Sequence, residues 1–265
     1  MIKNRIARSF EKLARENRKG FIPFITAGDP DLPTTKKLLL MLARAGATVI
    51  ELGVPFTDPM ADGVVIQRAS ERALRHDFGV AEILALVGEV RRETDAAIIL
   101  FSYFNPLLQY GLQRLCAEAK AAGVDGFLVT DLVPEEAEEF SRLLRASGLD
   151  MIFLIAPTSS DERLRMVAAR ASGFIYAVSR TGVTGAQEKT SASAENLVER
   201  MRRFSALPVA VGFGISTAAQ VAETWQYADA AVVGSAIVRE IENAAGDENL
   251  VEKVGEFVQK LMPEA

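Results

Sequence analysis

Short apolar, β-branched stretches alternate along the chain with longer segments whose apolar positions recur every three or four residues. The short stretches are FIPFIT (21–26), ATVIELG (47–53), AAIILFS (96–102), DGFLVTD (125–131), MIFLIA (151–156), FIYAVS (174–179), LPVAVGFG (207–214) and DAAVVGS (229–235). Strands covered on both faces read as nearly unbroken apolar runs, so these eight predict buried parallel strands. Residues 34–45, 112–122, 135–147, 160–171 and 216–225 carry helical periodicity between them. Ser160 and Ser216 stand where N-caps belong. AGA (45–47), AAG (121–123) and ASG (146–148 and 171–173) place glycine at helix stops. Crossovers between parallel strands are right-handed, and eight of them close a ring. The predicted class is α/β, a (β/α)8 TIM barrel with an extra N-terminal helix at about residues 2–17 that caps its bottom. Further pieces are a segment at 62–75, a helix at 80–93 and a C-terminal helix near 248–262. An open doubly wound sheet ranks lower, because no GxGxxG follows the first strand.

The length of 265 residues is near the ~250 typical of such barrels. No linker or composition shift divides the chain, so one domain over 1–265 is expected. A net charge of −5 without a basic block argues against nucleic acid or an anionic membrane as partner. The single cysteine, Cys116, excludes an intrachain disulfide. The N-terminal segment lacks the apolar core of a secretory signal, and no apolar run approaches the ~18–20 residues that span a bilayer. A cytoplasmic protein is expected. The one histidine, His76 in ALRHDFG, reads as a solvated surface residue. A multi-histidine metal site is thereby excluded and a Ser-His-Asp triad is unsupported, so no metal is expected.

Chemistry in this fold sits at the C-terminal ends of the strands. Glu51 falls inside an apolar strand near that end. A carboxyl group there must be paired, protonated or catalytic. Apolar neighbours would raise its pKa and suit it to proton transfer. The alternative is a structural ion pair across the barrel. Asp58 and Asp62 follow on a loop stiffened by Pro55 and Pro59, where Asp62 could instead cap the helix beginning near Gly63. SRTGVTGAQ (179–187), with Arg180, Gly182, Thr184 and Gly185, reads either as a lid over ligand or as an ordinary surface loop. GFGIS (212–216) and GSAIV (234–238) follow strands seven and eight. Glycine-rich loops and a short helix N-terminus at those two strands are the usual phosphate site of these barrels. None of the lysines lies in a strand, so carbon–carbon cleavage here would run by acid–base chemistry and not through a Schiff base.

ELGVPFTDPMADG, with GDP at 28–30, SRTGVTG, GFGIS and GSAIV, resembles the tryptophan synthase alpha subunit family over essentially the whole chain. The first block is the most specific; the phosphate loops are shared by many barrels. The resemblance implies a lyase that cleaves indole-3-glycerol phosphate to indole and glyceraldehyde 3-phosphate, a step of tryptophan biosynthesis, without a cofactor. It implies that Glu51 is the general acid and base and that Asp62 assists at the indole nitrogen. It places Tyr176 and Thr184 beside the site. Gly185, Gly214, Gly234 and Ser235 are implied at the phosphate, Phe24, Phe101 and Leu128 at the indole, and Phe213 among the substrate-binding residues. A pyridoxal-phosphate-dependent beta subunit in an α2β2 assembly is the implied partner. The apolar cluster of Tyr103, Phe104, Pro106, Leu107 and Leu108 would form part of the docking surface, unless Leu107 and Leu108 start the buried face of a helix. Three departures touch the second loop and partner face: Val64-Val65 in place of Pro-Thr, Arg68 in place of Asn, and Thr57 in place of Ser. The alternatives are a stand-alone indole-releasing lyase, another phosphate-binding barrel such as indole-glycerol-phosphate synthase or a sugar-phosphate isomerase, and a non-catalytic phosphate-ligand regulatory subunit.

Overall fold

Eight parallel strands close into a barrel in sequence order in the computed structural model, which describes residues 4–178, 188–212 and 214–263. They are β1 (Gly20–Thr26), β2 (Val49–Gly53), β3 (Ala97–Ser102), β4 (Gly126–Val129), β5 (Asp150–Ile155), β6 (Ile175–Val178), β7 (Val209–Gly212) and β8 (Ala230–Val233). All eight coincide with the predicted apolar runs. The ring is shut by β1 against β8, with Gly20 opposite Ala230 and Ile22 opposite Val232.

Among the described residues twelve helices surround the strands: α1 (Arg5–Arg15), α2 (Leu32–Arg44), α3 (Val64–Ala73), α4 (Val80–Val90), α5 (Phe104–Tyr110), α6 (Leu112–Ala122), α7 (Glu138–Ser147), α8 (Asp161–Arg170), α9 (Glu188–Arg202), α10 (Ala218–Tyr227), α11 (Ser235–Asn243) and α12 (Leu250–Leu261). None of them is long and apolar enough to cross a membrane.

Alternation along each strand sorts the core into two shells. Ile50, Leu52, Ile98, Leu100 and Phe127 point outward and bury the helices. Val49, Ile99, Leu128, Ile152, Tyr176 and Val232 point inward and fill the ring. The N-terminal helix plugs the bottom as predicted. Ile6 and Phe10 join the inner shell, and Phe10 meets Phe174 with ring centroids 5.9 Å apart. Gly123 and Gly148 end α6 and α7 in the left-handed conformation that the next strand entry requires.

Two expectations need correction, and one helix was not anticipated. Ser160 caps α8 as predicted, but α10 is capped by Thr217 and not by Ser216. The Ser216 N–H is held instead by Gln220 Oε1 at 2.8 Å, so the two neighbours share one helix entry. The segment after β3 is a helix, α5, so the apolar cluster does not form a docking loop, and the alternative of a buried helix face holds for Leu107 but not for Leu108. Leu107 and Tyr103 turn into the core, and only Leu108 of the cluster is well exposed, at 49%. Its docking contribution is correspondingly small. Residues 188–202 also form a helix that the apolar pattern did not announce.

Candidate active site

Glu51 lies on the same strand face as Val49, which packs inside the ring. Its register neighbours are Phe24 on β1 and Ile99 on β3. The residue is 1% exposed, and its Oε1 has no hydrogen-bond partner. No cation pairs with it among the described residues, so the alternative of a structural ion pair is not what the geometry displays. Burial alone pushes its carboxyl well above the ordinary range. Tyr176, buried on β6, feels the same carboxyl: its hydroxyl is pushed up by burial first and by Glu51 second.

Asp62 sits at the entrance of α3 but does not cap it. The cap position is Gly63, without any side-chain hydrogen bond. The Asp62 side chain instead takes a hydrogen bond from the Tyr103 hydroxyl, which accepts the Ala61 N–H at 2.9 Å. Burial raises the Asp62 carboxyl to about 6, against the lowering effect of Tyr103. Tyr103 is itself pushed to about 12 by burial and by Asp62. This partnership was missed in the sequence, where Tyr103 read only as part of an apolar cluster.

Phe24 and Phe101 meet edge to face at 5.2 Å. They line one crevice with Gly53, Asp62 and Tyr103, and Thr26 and Ser102 add hydroxyls to it. The Thr26 Oγ1 is buried without a partner, a second polar atom here that sequence reasoning did not single out. Leu128 is fully buried beside Phe101 in the strand register. The crevice therefore pairs an aromatic, apolar wall with the Asp62 carboxyl, and the second carboxyl of raised pKa, Glu51, stands beside Phe24 in the strand register, a combination suited to proton transfer on an apolar substrate.

Gly234 and Ser235 open α11, and no side chain caps its first turn. Free N–H groups and a partial positive charge at a helix start of this kind are chemically able to hold an anion. Gly234 packs against Phe24, where an added Cβ would sit 3.4 Å from Phe24 Cβ. Gly214 follows β7 with φ +81°. Arg180, Gly182, Thr184, Gly185 and Phe213 lie outside the described residues. His76 is exposed at the surface, its Nε2 2.7 Å from the Pro30 carbonyl oxygen. No cluster of three or more metal-ligating side chains occurs among the described residues.

Gly212 is tightly specified: a Cβ there would lie 2.2 Å from the Tyr176 hydroxyl oxygen and 3.0 Å from Val232 Cβ. Tyr176 is buried and has little room to yield. Gly212→Ala is expected to cost about 1–3 kcal/mol of stability through overpacking and to displace the Tyr176 ring next to Glu51. Denaturant titration would read the loss of stability and near-ultraviolet circular dichroism the displaced ring; unchanged values in both would show that the ring relocates freely.

The comparisons with known proteins agree with one another. A family profile described as tryptophan synthase alpha chain matches residues 10–265. The tryptophan synthase alpha chain of Geotalea uraniireducens is 51% identical over 258 residues, covering 97% of this chain and 96% of that one. That of Solibacter usitatus is 49% identical over 257 residues, with 97% and 96% covered. The crystal structure of tryptophan synthase subunit alpha from Legionella pneumophila superposes with a TM-score of 0.90 at 37% identity, covering 97% of each chain. A chain of tryptophan synthase from M. tuberculosis, in an aminoacrylate-bound form, gives 0.87 at 33% identity over 97% of this chain and 98% of that one.

Proposed function

Since the chain belongs to the tryptophan synthase alpha chain family, we propose that Glu51 and Asp62 are the groups with which it splits indole-3-glycerol phosphate into indole and glyceraldehyde 3-phosphate. The reaction is a retro-aldol cleavage, and the chain is a carbon–carbon lyase of tryptophan biosynthesis. Protonation of indole C3 turns the ring into an electron sink. The bond from C3 to the glycerol carbon then breaks, and its electron pair enters the ring and neutralises the cationic nitrogen. The hydroxyl on that glycerol carbon loses its proton as the aldehyde forms. One proton is delivered and one is removed, so a single carboxyl that is protonated at the start returns to that state. Glu51 fits this duty because its raised pKa keeps it protonated where ordinary glutamates have ionised. Asp62 faces the opposite demand, accepting the indole N–H and stabilising the positive charge that develops there. Phe24, Phe101 and Leu128 would hold the indole, Gly214, Gly234 and Ser235 the phosphate, with Tyr176 beside Glu51. Thr184, Gly185 and Phe213 are assigned to substrate by family resemblance alone.

The single observation that carries this reading is the buried Glu51 carboxyl, its Oε1 without a hydrogen-bond partner, on the inner strand face beside Phe24. The direct test is release of indole from indole-3-glycerol phosphate by the purified chain, alone and with a beta subunit. Absence of release in both conditions would leave a phosphate-ligand regulatory subunit, and release by the isolated chain at full rate would favour a stand-alone lyase.

The family partners a beta subunit, and for this chain we place that contact on the mouth side, in an α2β2 assembly. Met60 is 90% exposed on the loop after β2, and Val64, Leu108 and Val133 are exposed after β2, β3 and β4. Exposed apolar side chains grouped on neighbouring loops mark a docking surface. Met60→Asp is expected to weaken beta-subunit binding about tenfold or more, with the basal activity of the free chain kept, as read by titration calorimetry against unmodified protein. We take residues 1–265 as one barrel domain. A cytoplasmic location fits a lone, buried Cys116 thiol.

A further inference from the structure

A chain of ion pairs outside the reaction crevice joins the two halves of the substrate site. On α11, Glu242 accepts two bonds from Arg68, Nε to Oε1 at 2.6 Å and Nη2 to Oε2 at 2.7 Å. It also accepts Arg72 Nη1 at 2.7 Å. Arg72 reaches onward with Nε and Nη2 to both carboxylate oxygens of Asp29, each at 2.8 Å. Asp29 is 1% exposed in the turn after β1, and Arg72 is 17% exposed. Arg68 and Arg72 are one turn apart on α3. The chain thus links the β1 turn, α3 and α11.

Each of those elements also carries part of the candidate site. β1 holds Phe24. The loop into α3 holds Asp62, and Ile66 and Ser70 on α3 line the crevice. α11 begins at Ser235, seven residues before Glu242. The contact between α3 and α11 at the crevice is apolar, formed by Ala69 and Val238 around Phe24 with Val65 and Ile66 packed against them. Apolar contacts of that kind are non-directional and tolerate sliding of one helix along the other. Two forked arginine–carboxylate pairs do not: their geometry fixes distance and angle together. At the exposed end such a pair contributes little stability, so its consequence is geometric. At the Asp29 end the carboxylate is buried, and removing its partner would strand a charge.

We propose that Arg72 and Glu242 are positioning residues that set the distance between the phosphate-binding end of α11 and the indole-binding wall on β1 and α3. Neither touches substrate. The proposal rests on the functional reading above, because it assigns the two ends of one ligand to α11 and to the crevice. Its signature is a split between binding and turnover: the anion is lost first, while the chemistry at Glu51 and Asp62 proceeds once substrate is bound.

The sign of the charge effect separates this from a simple electrostatic role. Deleting the negative charge of Glu242 should, through space alone, favour an anion at the start of α11. Positioning requires the reverse. Glu242→Gln is expected to weaken glycerol 3-phosphate binding about tenfold by calorimetry and to raise KM by a similar factor, with kcat within about threefold of the unmodified protein. Arg72→Lys keeps the charge but cannot fork to two carboxylates, and is expected to move binding in the same direction. Glu248→Gln, a neutralisation at an exposed position beyond α11, serves as control and is expected to leave the affinity unchanged. Glycerol 3-phosphate bound by Glu242→Gln as tightly as by the unmodified protein, or more tightly, would overturn the proposal even if the variant melts earlier. An unmodified protein that binds glycerol 3-phosphate yet releases no indole would sink the catalytic reading, and the anion titration would then decide positioning independently.

Discussion

Replacing Glu51 with glutamine is expected to stop indole release almost completely while the phosphate half of the substrate still binds. Glutamine keeps the shape and the apolar contacts on β2 but can neither deliver nor take up a proton. General acid–base catalysis typically contributes ~10²–10⁴ in rate, and here one carboxyl carries both transfers. Retention of more than about a few per cent of the rate would remove Glu51 from the mechanism. The same substitution is expected to raise thermal stability at neutral pH. Burial lifts the folded-state pKa of Glu51 well above its ordinary 4.5. Between 4.5 and that raised value, the folded protein holds a proton that the unfolded chain has released. Its favourable contribution is therefore complete below 4.5 and is lost as pH rises through the folded pKa. Glutamine has no such loss. The gap in melting temperature between variant and unmodified protein should widen from acid to neutral pH, and a constant gap would show that Glu51 does not titrate in this way.

Replacing Asp62 with asparagine is expected to lower the rate about 10²-fold and to alter the pH profile in a diagnostic manner. Burial holds the Asp62 carboxyl at about 6, so it must be ionised above that pH to stabilise charge at the indole nitrogen. In the unmodified protein kcat/KM should fall tenfold per pH unit as the pH drops below about 6. In Asp62→Asn that acid limb should vanish. Because the hydrogen bond from Tyr103 lowers the Asp62 pKa, Tyr103→Phe should move the limb to higher pH and leave its shape unchanged. An acid limb that survives in Asp62→Asn would assign the titration to another group.

The contrast between what could be read in the sequence and what could not follows the range of the interactions. The strands were legible because parallel barrel strands are buried on both faces, which removes polar residues from runs such as AAIILFS. Helix ends were legible where a single residue type decides them, as at Gly123 and Gly148. Where two candidates sit side by side, as with Ser216 and Thr217, only the backbone conformation chooses. α5 was obscured because the pattern YFNPLL is apolar on too many sides to assign a face. Glu51 stood out as a charge inside an apolar run, yet whether a cation faces it depends on neighbours from other strands. Ala61 and Tyr103 are 42 residues apart, and Arg72 and Glu242 are 170 apart. Contacts of that range leave no local periodicity. The Arg68 departure from the family pattern drew attention to α3 but not to Glu242, its partner.

The seam between the first and last strands has a consequence for biosynthesis. Gly20 and Ala230, which face each other there, are 210 residues apart. At ~5–20 residues per second, a ribosome takes ~10–40 s to deliver the second after the first. Throughout that interval the nascent chain carries an open hydrogen-bonding edge with nothing of its own to cover it, and such edges recruit foreign strands. Losses during expression should therefore be greatest where translation stalls late in the message, before the eighth strand has emerged.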